Sequence, residues 1–149
     1  MTCTYSPEAY VFGSEENHDL LEAETNELLH FGHNFPAPQG GSYWLYDTGN
    51  PDLTQNIHTW ITCRMAHVYS LGFLHGEPGA AELVDKAIDG LRGPLHDDEN
   101  GGWYPSISAD GSTHEAGKVC YSHAFVILAA TSAKLIGRPD ADELLEEAL

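Results

Sequence analysis

Arg64 is the residue of this 149-residue chain whose type and setting most clearly suggest chemistry. It lies in the apolar stretch 54–75, where it is the only charged residue apart from histidines. A guanidinium in such a helix needs hydrogen-bond acceptors, because burying it unpaired is very unfavourable. A nearby carboxylate could supply them in a structural ion pair, or the oxygens of a ligand could. The sequence leaves both interpretations open.

Aromatic side chains accompany this arginine. Trp60 precedes Arg64 by four residues and therefore shares its helical face. An aromatic ring beside a fork-shaped donor suits a carbohydrate, because sugar rings have apolar faces and many oxygens. Tyr121 stands at the position equivalent to Trp60 in the repeat described below, so either ring could instead fill the core.

Nine histidines raise the possibility of a metal or proton-transfer site. His30 and His33 are three positions apart and His58 and His67 nine, yet none belongs to an HExxH or cysteine–histidine ligand set. We therefore predict no metal ion and no cofactor. His58 and His123 are the better functional candidates, because both fall near the start of apolar helices and histidine exchanges protons near neutral pH.

The sequence repeats itself at an offset of 61 residues. Gly76-Glu77-Pro78 returns as Gly137-Arg138-Pro139, and Gly40-Gly41 returns as Gly101-Gly102. Several matches at one offset without gaps indicate a repeat architecture. The position equivalent to Arg64 is occupied by Phe125, so the architecture itself does not require an arginine there.

Each repeat is predicted to contain a charged outer helix, a short hairpin and an apolar inner helix. We expect outer helices at 15–33 and 80–91, hairpins within 41–53 and 102–113, and inner helices at 54–75 and 118–136. Ser14 is the expected N-cap of the first helix, whose core-facing residues would be Leu20, Leu21, Leu28 and Leu29.

This alternation predicts an all-α fold, an α/α toroid of the (α/α)6-barrel type with short β-hairpins between its helices. The repeats run from about 15 to 75 and from about 78 to 136, and a third begins at 139–149, within a single N-terminal barrel segment, 1–149. A closed ring of six hairpins would need about 366 residues. We expect an incomplete ring of about two and a half repeats, completed by a longer protein or by a second chain.

Composition excludes several classes of protein. With 23 acidic and 6 basic residues the formal charge is −17, which argues against nucleic acid and anionic membranes as partners. Cys3, Cys63 and Cys120 form no CxxC pair, and we expect Cys63 and Cys120 to be inert core thiols. No signal or membrane-spanning segment is evident, so a cytoplasmic location is expected. The carboxylate excess favours a salt-adapted protein over a merely acidic one.

The segment 58–70, HTWITCRMAHVYS, resembles the corresponding segment of the N-acylglucosamine 2-epimerase superfamily. It is most similar to the aldose–ketose isomerase branch, which includes mannose isomerase and sulfoquinovose isomerase. The likeness continues at 35–41, 101–104 and 121–123, and covers nearly the whole chain from Glu22 onward. The resemblance implies an (α/α)6 barrel, in agreement with the repeat.

The resemblance also implies a function. Members isomerise or epimerise free sugars, such as a mannose-like aldose, by moving a proton through an enediol-type intermediate. It assigns Arg64 and Tyr121 to sugar contacts and places His58, Trp60 and His123 in matching segments. The catalytic histidines of the family come from later hairpins, so no catalytic residue is assigned here and the chain is expected to be inactive alone. The alternative is a non-catalytic carbohydrate-binding or assembly module derived from this fold.

Overall fold

The computed structural model describes residues 6–149, which fall into two compact units. The first ends at Gly32, and the second runs from His33 to Leu149. Cys3 lies outside the described residues. Arg64, His58, Trp60, Tyr121 and His123 all belong to the second unit.

The first unit is built on helix α1 (Glu15–Phe31). Ser14 caps it as expected, since its Oγ accepts a hydrogen bond from the Asn17 backbone N–H at 3.0 Å. The predicted core face is wrong in part, because Leu29 is buried but Leu21 and Leu28 are 56% and 68% exposed. Apolar spacing marks a face that can be buried, and burial still requires another element to cover it.

The second unit contains four helices, of which α2 packs on α3 and α4, and α4 packs on α5. The buried faces of α2 and α4 carry small side chains, among them Ala66, Ala129 and Ala133, which allow close packing. The helices are α2 (Thr59–His75), α3 (Ala80–Arg92), α4 (Cys120–Leu135) and α5 (Ala141–Ala148), and the strands are β1 (Trp44–Leu45), β2 (Pro51–Asp52), β3 (Ile57–His58) and β4 (Ser106–Ile107).

Each of the two predicted hairpin segments contains a turn. The antiparallel pair β1–β2 is closed by a turn in which the Gly49 N–H donates to the Tyr46 carbonyl. At the second turn, the Asp110 carboxylate accepts hydrogen bonds from the Ser108 hydroxyl and from Ser112. These bonds lower the pKa of Asp110 to about 2.

The second strand pair joins the two repeats. β3 pairs antiparallel with β4, with Ile57 opposite Ile107 and His58 opposite Ser106. The predicted start of the inner helix at Thr54 is therefore wrong. Helix α2 begins at Thr59, because the residues before it are extended and pair with β4, which follows almost fifty residues later in the chain.

The 61-residue repeat is visible in the backbone. Helices α2 and α4 begin at Thr59 and Cys120, and α3 and α5 at Ala80 and Ala141, in each case 61 positions apart. All four glycines of the two Gly-Gly turns have positive φ, as do Gly76 and Gly137 after the inner helices. Asp140, the only described non-glycine residue with positive φ, is equivalent to Gly79.

The inner helices are not buried all round, contrary to the expectation from their apolar composition. A row along one side of α2 and α4 is solvent-exposed, and nothing among residues 6–149 covers it. None of the described helices has the length and apolarity needed to cross a bilayer. The exposed row includes Arg64, Val68, Leu71, Tyr121, Leu128 and Leu135.

Candidate active site

Arg64 is exposed, and its guanidinium is held between two aromatic rings. Its Cζ lies 4.7 Å from the centroid of Trp60 and 5.0 Å from that of Phe125. Its Nη2 donates to the Tyr121 hydroxyl at 3.3 Å. Among residues 6–149, no carboxylate lies within 4.0 Å of this guanidinium, so the structural ion pair left open by the sequence is not formed. Ring contacts fix the guanidinium, and the bond to Tyr121 is the only hydrogen bond that it makes to the described residues, so most of its five N–H donors remain unused.

The repeat places equivalent residues of α2 and α4 side by side. Trp60 and Tyr121, which are equivalent positions, have ring centroids 6.3 Å apart. Arg64 and Phe125 are also equivalent, and they are in direct contact. Phe125 therefore belongs to the site, although the sequence marked it only as the position where the second repeat lacks an arginine.

Two residues from the strands extend this arrangement. The indole of Trp44, at the start of β1, lies 5.9 Å from Trp60 and 5.8 Å from the His58 ring, centroid to centroid. His58 is the last residue of β3 and directly precedes α2. Sequence reasoning missed Trp44, although its position shortly after Gly40-Gly41 was a usable signal. We call Trp44, His58, Trp60, Tyr121 and Phe125 the aromatic cluster.

Two buried threonines of α2 hold the strand segments around the cluster. The Thr62 hydroxyl accepts from the Ser42 backbone N–H and donates to the His58 carbonyl, at 3.0 and 3.1 Å. The Thr59 hydroxyl donates to the Tyr104 carbonyl. Both hydroxyls thus tie α2 to the backbone of a neighbouring segment. Trp44 and His58 are thereby placed by backbone anchored to the helix.

His123 is not brought to the aromatic cluster. Its Nε2 contacts the Ala148 carbonyl at 2.9 Å, and its ring lies 5.2 Å from Trp103. It lines a separate hollow of about 180 Å³. Because Tyr121 and His123 are two residues apart on one helix, their side chains leave it in different directions.

The two described cysteines differ, which corrects one expectation. Cys63 is fully buried, and burial raises the pKa of its thiol. Cys120, expected to be a core thiol, is exposed at the first position of α4 beside the His123 hollow. An apolar sequence context predicted burial, but in the first turn of α4 it is Ser122 that is buried, and Cys120 faces away from the packed side.

Asp97 organises the turn before Trp103. Its buried carboxylate accepts a hydrogen bond from the Lys118 ammonium at 2.5 Å and from the backbone N–H groups of Glu99 and Asn100. The lysine is the main cause that holds the pKa of this carboxyl well below its ordinary value. The Asp97 backbone also bonds to the Gly102 carbonyl and to the Gly101 N–H, so this residue holds the second Gly-Gly turn, Gly101-Gly102.

The remaining histidine candidates have structural partners. His33 Nε2 lies 2.6 Å from Glu77 Oε1, and His67 Nδ1 lies 2.8 Å from the Ser132 hydroxyl. Within 6–149, no group of three or more histidine, cysteine, aspartate or glutamate side chains is arranged to hold a metal ion.

The site offers aromatic faces and cationic hydrogen-bond donors. Such a surface is suited to a neutral ligand with apolar faces and several oxygens, because rings stack on the faces while Arg64 donates to the oxygens. No carboxylate among the described residues pairs with the Arg64 guanidinium. Its positive charge is therefore available to attract the oxygens of a ligand.

Comparison with known proteins gives a consistent result. A family model described as N-acylglucosamine 2-epimerase matches residues 40–149. The chain is 44% identical over 128 residues to a D-mannose isomerase of Thermobifida fusca, covering 86% of this chain and 31% of that protein. It is 38% identical over 136 residues to a D-mannose isomerase of Pseudomonas cannabina pv. alisalensis, covering 91% and 32%. The chain thus spans about a third of the length of these curated relatives.

Solved structures show the same fold. A cellobiose 2-epimerase from Spirochaeta thermophila DSM 6192 superposes with a TM-score of 0.73 at 21% identity, covering 94% of this chain and 38% of that one. A crystal structure of D-mannose isomerase gives a TM-score of 0.74 at 22% identity, covering 93% and 35%. The predicted fold class is confirmed: an all-α toroid of the (α/α)6-barrel type with short strand pairs, of which this chain contains only part.

Proposed function

The chain belongs to the N-acylglucosamine 2-epimerase family, and on that premise we propose that it forms a sugar-binding part of a sugar isomerase or epimerase. The proposed substrate is a free monosaccharide, a mannose-like aldose converted to its ketose. In that reaction a proton leaves C2 and another arrives at C1, through an enediol-type intermediate. The names of the two curated relatives cited above support the isomerase over the epimerase.

One observation carries this proposal: the Arg64 guanidinium is exposed and fixed by Trp60, Phe125 and the Tyr121 hydroxyl, with no carboxylate partner among residues 6–149. A structural arginine would be expected to contact a carboxylate, as Arg138 does with Asp85. A guanidinium held only by rings and one hydroxyl keeps its donor fork available. The oxygens of a sugar are suitable acceptors for it.

The other contacts follow from the aromatic cluster. Trp60 would stack on an apolar face of the sugar, and the Tyr121 hydroxyl, which accepts from Arg64, can donate to a sugar oxygen. His58 would supply a further polar contact beside them. We leave His123 out of the proposed contact set, because its Nε2 already contacts the Ala148 carbonyl. No residue of this chain is assigned as catalytic acid or base, and the proposed role of the cluster is binding.

The test compares Arg64→Ala and Arg64→Lys with the unaltered protein. Titration with D-mannose, followed by tryptophan fluorescence and by amide chemical shifts, gives the affinity, and thermal unfolding gives the stability. Loss of a charge-assisted hydrogen bond costs about 1.5–3 kcal/mol, so the alanine variant should bind about ten- to a hundredfold more weakly. Lysine should restore only part of this, because a point charge does not reproduce the planar fork.

Arg92→Ala is the matched control. Arg92 bonds to Asp140 and Glu143 at 2.7 and 2.8 Å, away from the aromatic cluster. Its removal should lower stability and leave sugar affinity unchanged. If Arg64→Ala lowers the melting temperature but not the affinity, Arg64 is a framework residue. If D-mannose causes no change in the unaltered protein, and a ketose is not formed by any longer form containing these residues, the proposed function is wrong.

A further inference from the structure

The His58 ring is held firmly in the aromatic cluster, although it lies at the end of a strand. Its backbone pairs with Ser106 in β4, and its carbonyl accepts from the Thr62 hydroxyl. Its ring lies edge-on to Trp44 and Trp60, at centroid distances of 5.8 and 6.1 Å. The backbone bonds and the two indole contacts together fix the position of the ring.

The Nδ1 atom of this ring has two polar neighbours with opposite requirements. The Asn56 backbone carbonyl, 2.9 Å away, can only accept a hydrogen bond. The Trp44 Nε1–H, 3.2 Å away, can only donate one. In a neutral ring, Nδ1–H bonds to Asn56, and unprotonated Nδ1 accepts from Trp44. The two contacts thus belong to the two neutral tautomers, and each tautomer has one partner.

The opposite ring nitrogen is the one available to a ligand. Within the part of the chain that the structure describes, no protein group is hydrogen-bonded to His58 Nε2. When Nδ1 carries the proton, Nε2 is an acceptor, and when Nδ1 accepts from Trp44, Nε2–H is a donor. The change of tautomer reverses the polarity of Nε2 and needs no movement of the ring.

We propose that His58 binds a sugar hydroxyl through Nε2 in either tautomer, with Trp44 acting as the positioning residue that stabilises the Nε2–H form. This rests on the proposed function, because the hydroxyl belongs to the monosaccharide bound at Arg64. A hydroxyl can donate or accept, so a ring that can do both fits either orientation of the ligand. Trp44 therefore has two roles: its ring packs against His58, and its N–H donates a hydrogen bond to His58 Nδ1.

The tautomer ratio can be measured directly by ¹⁵N NMR of the histidine rings, at about pH 8.5 where neutral rings predominate. The His58 signals are assigned by their loss in His58→Gln. Trp44→Phe keeps an aromatic ring but removes the N–H, and should shift the ratio toward the Nδ1–H form by about two- to tenfold, the equivalent of one hydrogen bond. Tyr46→Phe is the control, because Tyr46 lies in the same hairpin and its hydroxyl bonds to Asp52 rather than to His58.

Adding D-mannose to the unaltered protein supplies the second arm. The expected result is a change in the His58 tautomer ratio together with shifts at Trp60 and Arg64. An unchanged ratio in Trp44→Phe, or one that Tyr46→Phe reproduces, overturns the role of Trp44. Sugar-induced shifts at Trp60 and Arg64 without any at His58 overturn the role of His58 and leave the proposed function standing. No sugar-induced shift at any of the three overturns both.

Discussion

Replacing Gly90 by alanine should destabilise the protein, although the same change stabilises an ordinary helix. Gly90 lies in α3, directly against the Gly40-Gly41 turn that precedes β1. A Cβ atom at position 90 would lie 2.1 Å from the Gly41 nitrogen and 2.5 Å from the Gly41 Cα. Both are backbone atoms, so no side-chain rotation can relieve the contact. The helix or the turn must move.

The magnitude follows from two opposing terms. Alanine is favoured over glycine in a helix interior by about 1 kcal/mol. Inserting a methyl group into a well-packed site costs about 1–3 kcal/mol. Because the new methyl group would overlap two backbone atoms of Gly41, we expect a cost at or above the upper end of that range. We expect a net loss of about 2 kcal/mol in the free energy of unfolding. For a domain of this size that corresponds to a fall in melting temperature of about 4–8 °C.

Urea unfolding followed by tryptophan fluorescence measures this loss. Asp89→Ala is the matched control, since it introduces alanine one residue earlier at an exposed position, where the ion pair with Lys86 is 3.7 Å long and solvent-exposed. Its effect should stay within about 0.5 kcal/mol. Because the Gly40-Gly41 turn leads into Trp44, the Gly90 variant should also weaken the Trp44–His58 contact. An unfolding midpoint that rises in Gly90→Ala would refute the close approach of α3 to this turn.

The remaining predictions concern charge. Because Lys118 holds the pKa of the Asp97 carboxyl below its unfolded value of 3.8, this pair stabilises the fold above that pH. That contribution should be lost as the pH falls from about 4 toward the lower pKa of the folded state, and urea unfolding at a series of pH values should show a shallower acid dependence in Asp97→Asn. An unaltered acid slope in that variant would contradict the assignment. The melting temperature should also rise between low and molar KCl, because salt screens the repulsion among the carboxylates that give the formal charge of −17. A melting temperature that stays constant or falls with KCl would contradict salt adaptation.

Much of the fold could be predicted because it depends on short-range sequence features. Glycines that need positive φ mark the turns and helix ends, as at Gly76 and Gly137, and they return at the repeat offset. The capping role of Ser14 likewise depends on a residue three positions away. The contrast between charged and apolar helices distinguished α2 and α4 from α3 and α5 along the sequence. The spacing of Trp60 and Arg64 placed both on one helical face before any packing was known.

Tertiary structure alone decided which side chains meet. Trp44 and Phe125 reach the site only because the hairpin folds against α2 and because α4 lies beside it. The sequence predicted that α2 begins at Thr54, but it begins at Thr59 because β3 pairs with β4. Pairing between strands about fifty residues apart leaves no periodic pattern in either segment alone. Apolar spacing predicted burial for Leu28, and apolar context predicted it for Cys120, yet both residues are exposed. Sequence determines which face of an element is apolar, whereas burial depends on whether another element packs against that face.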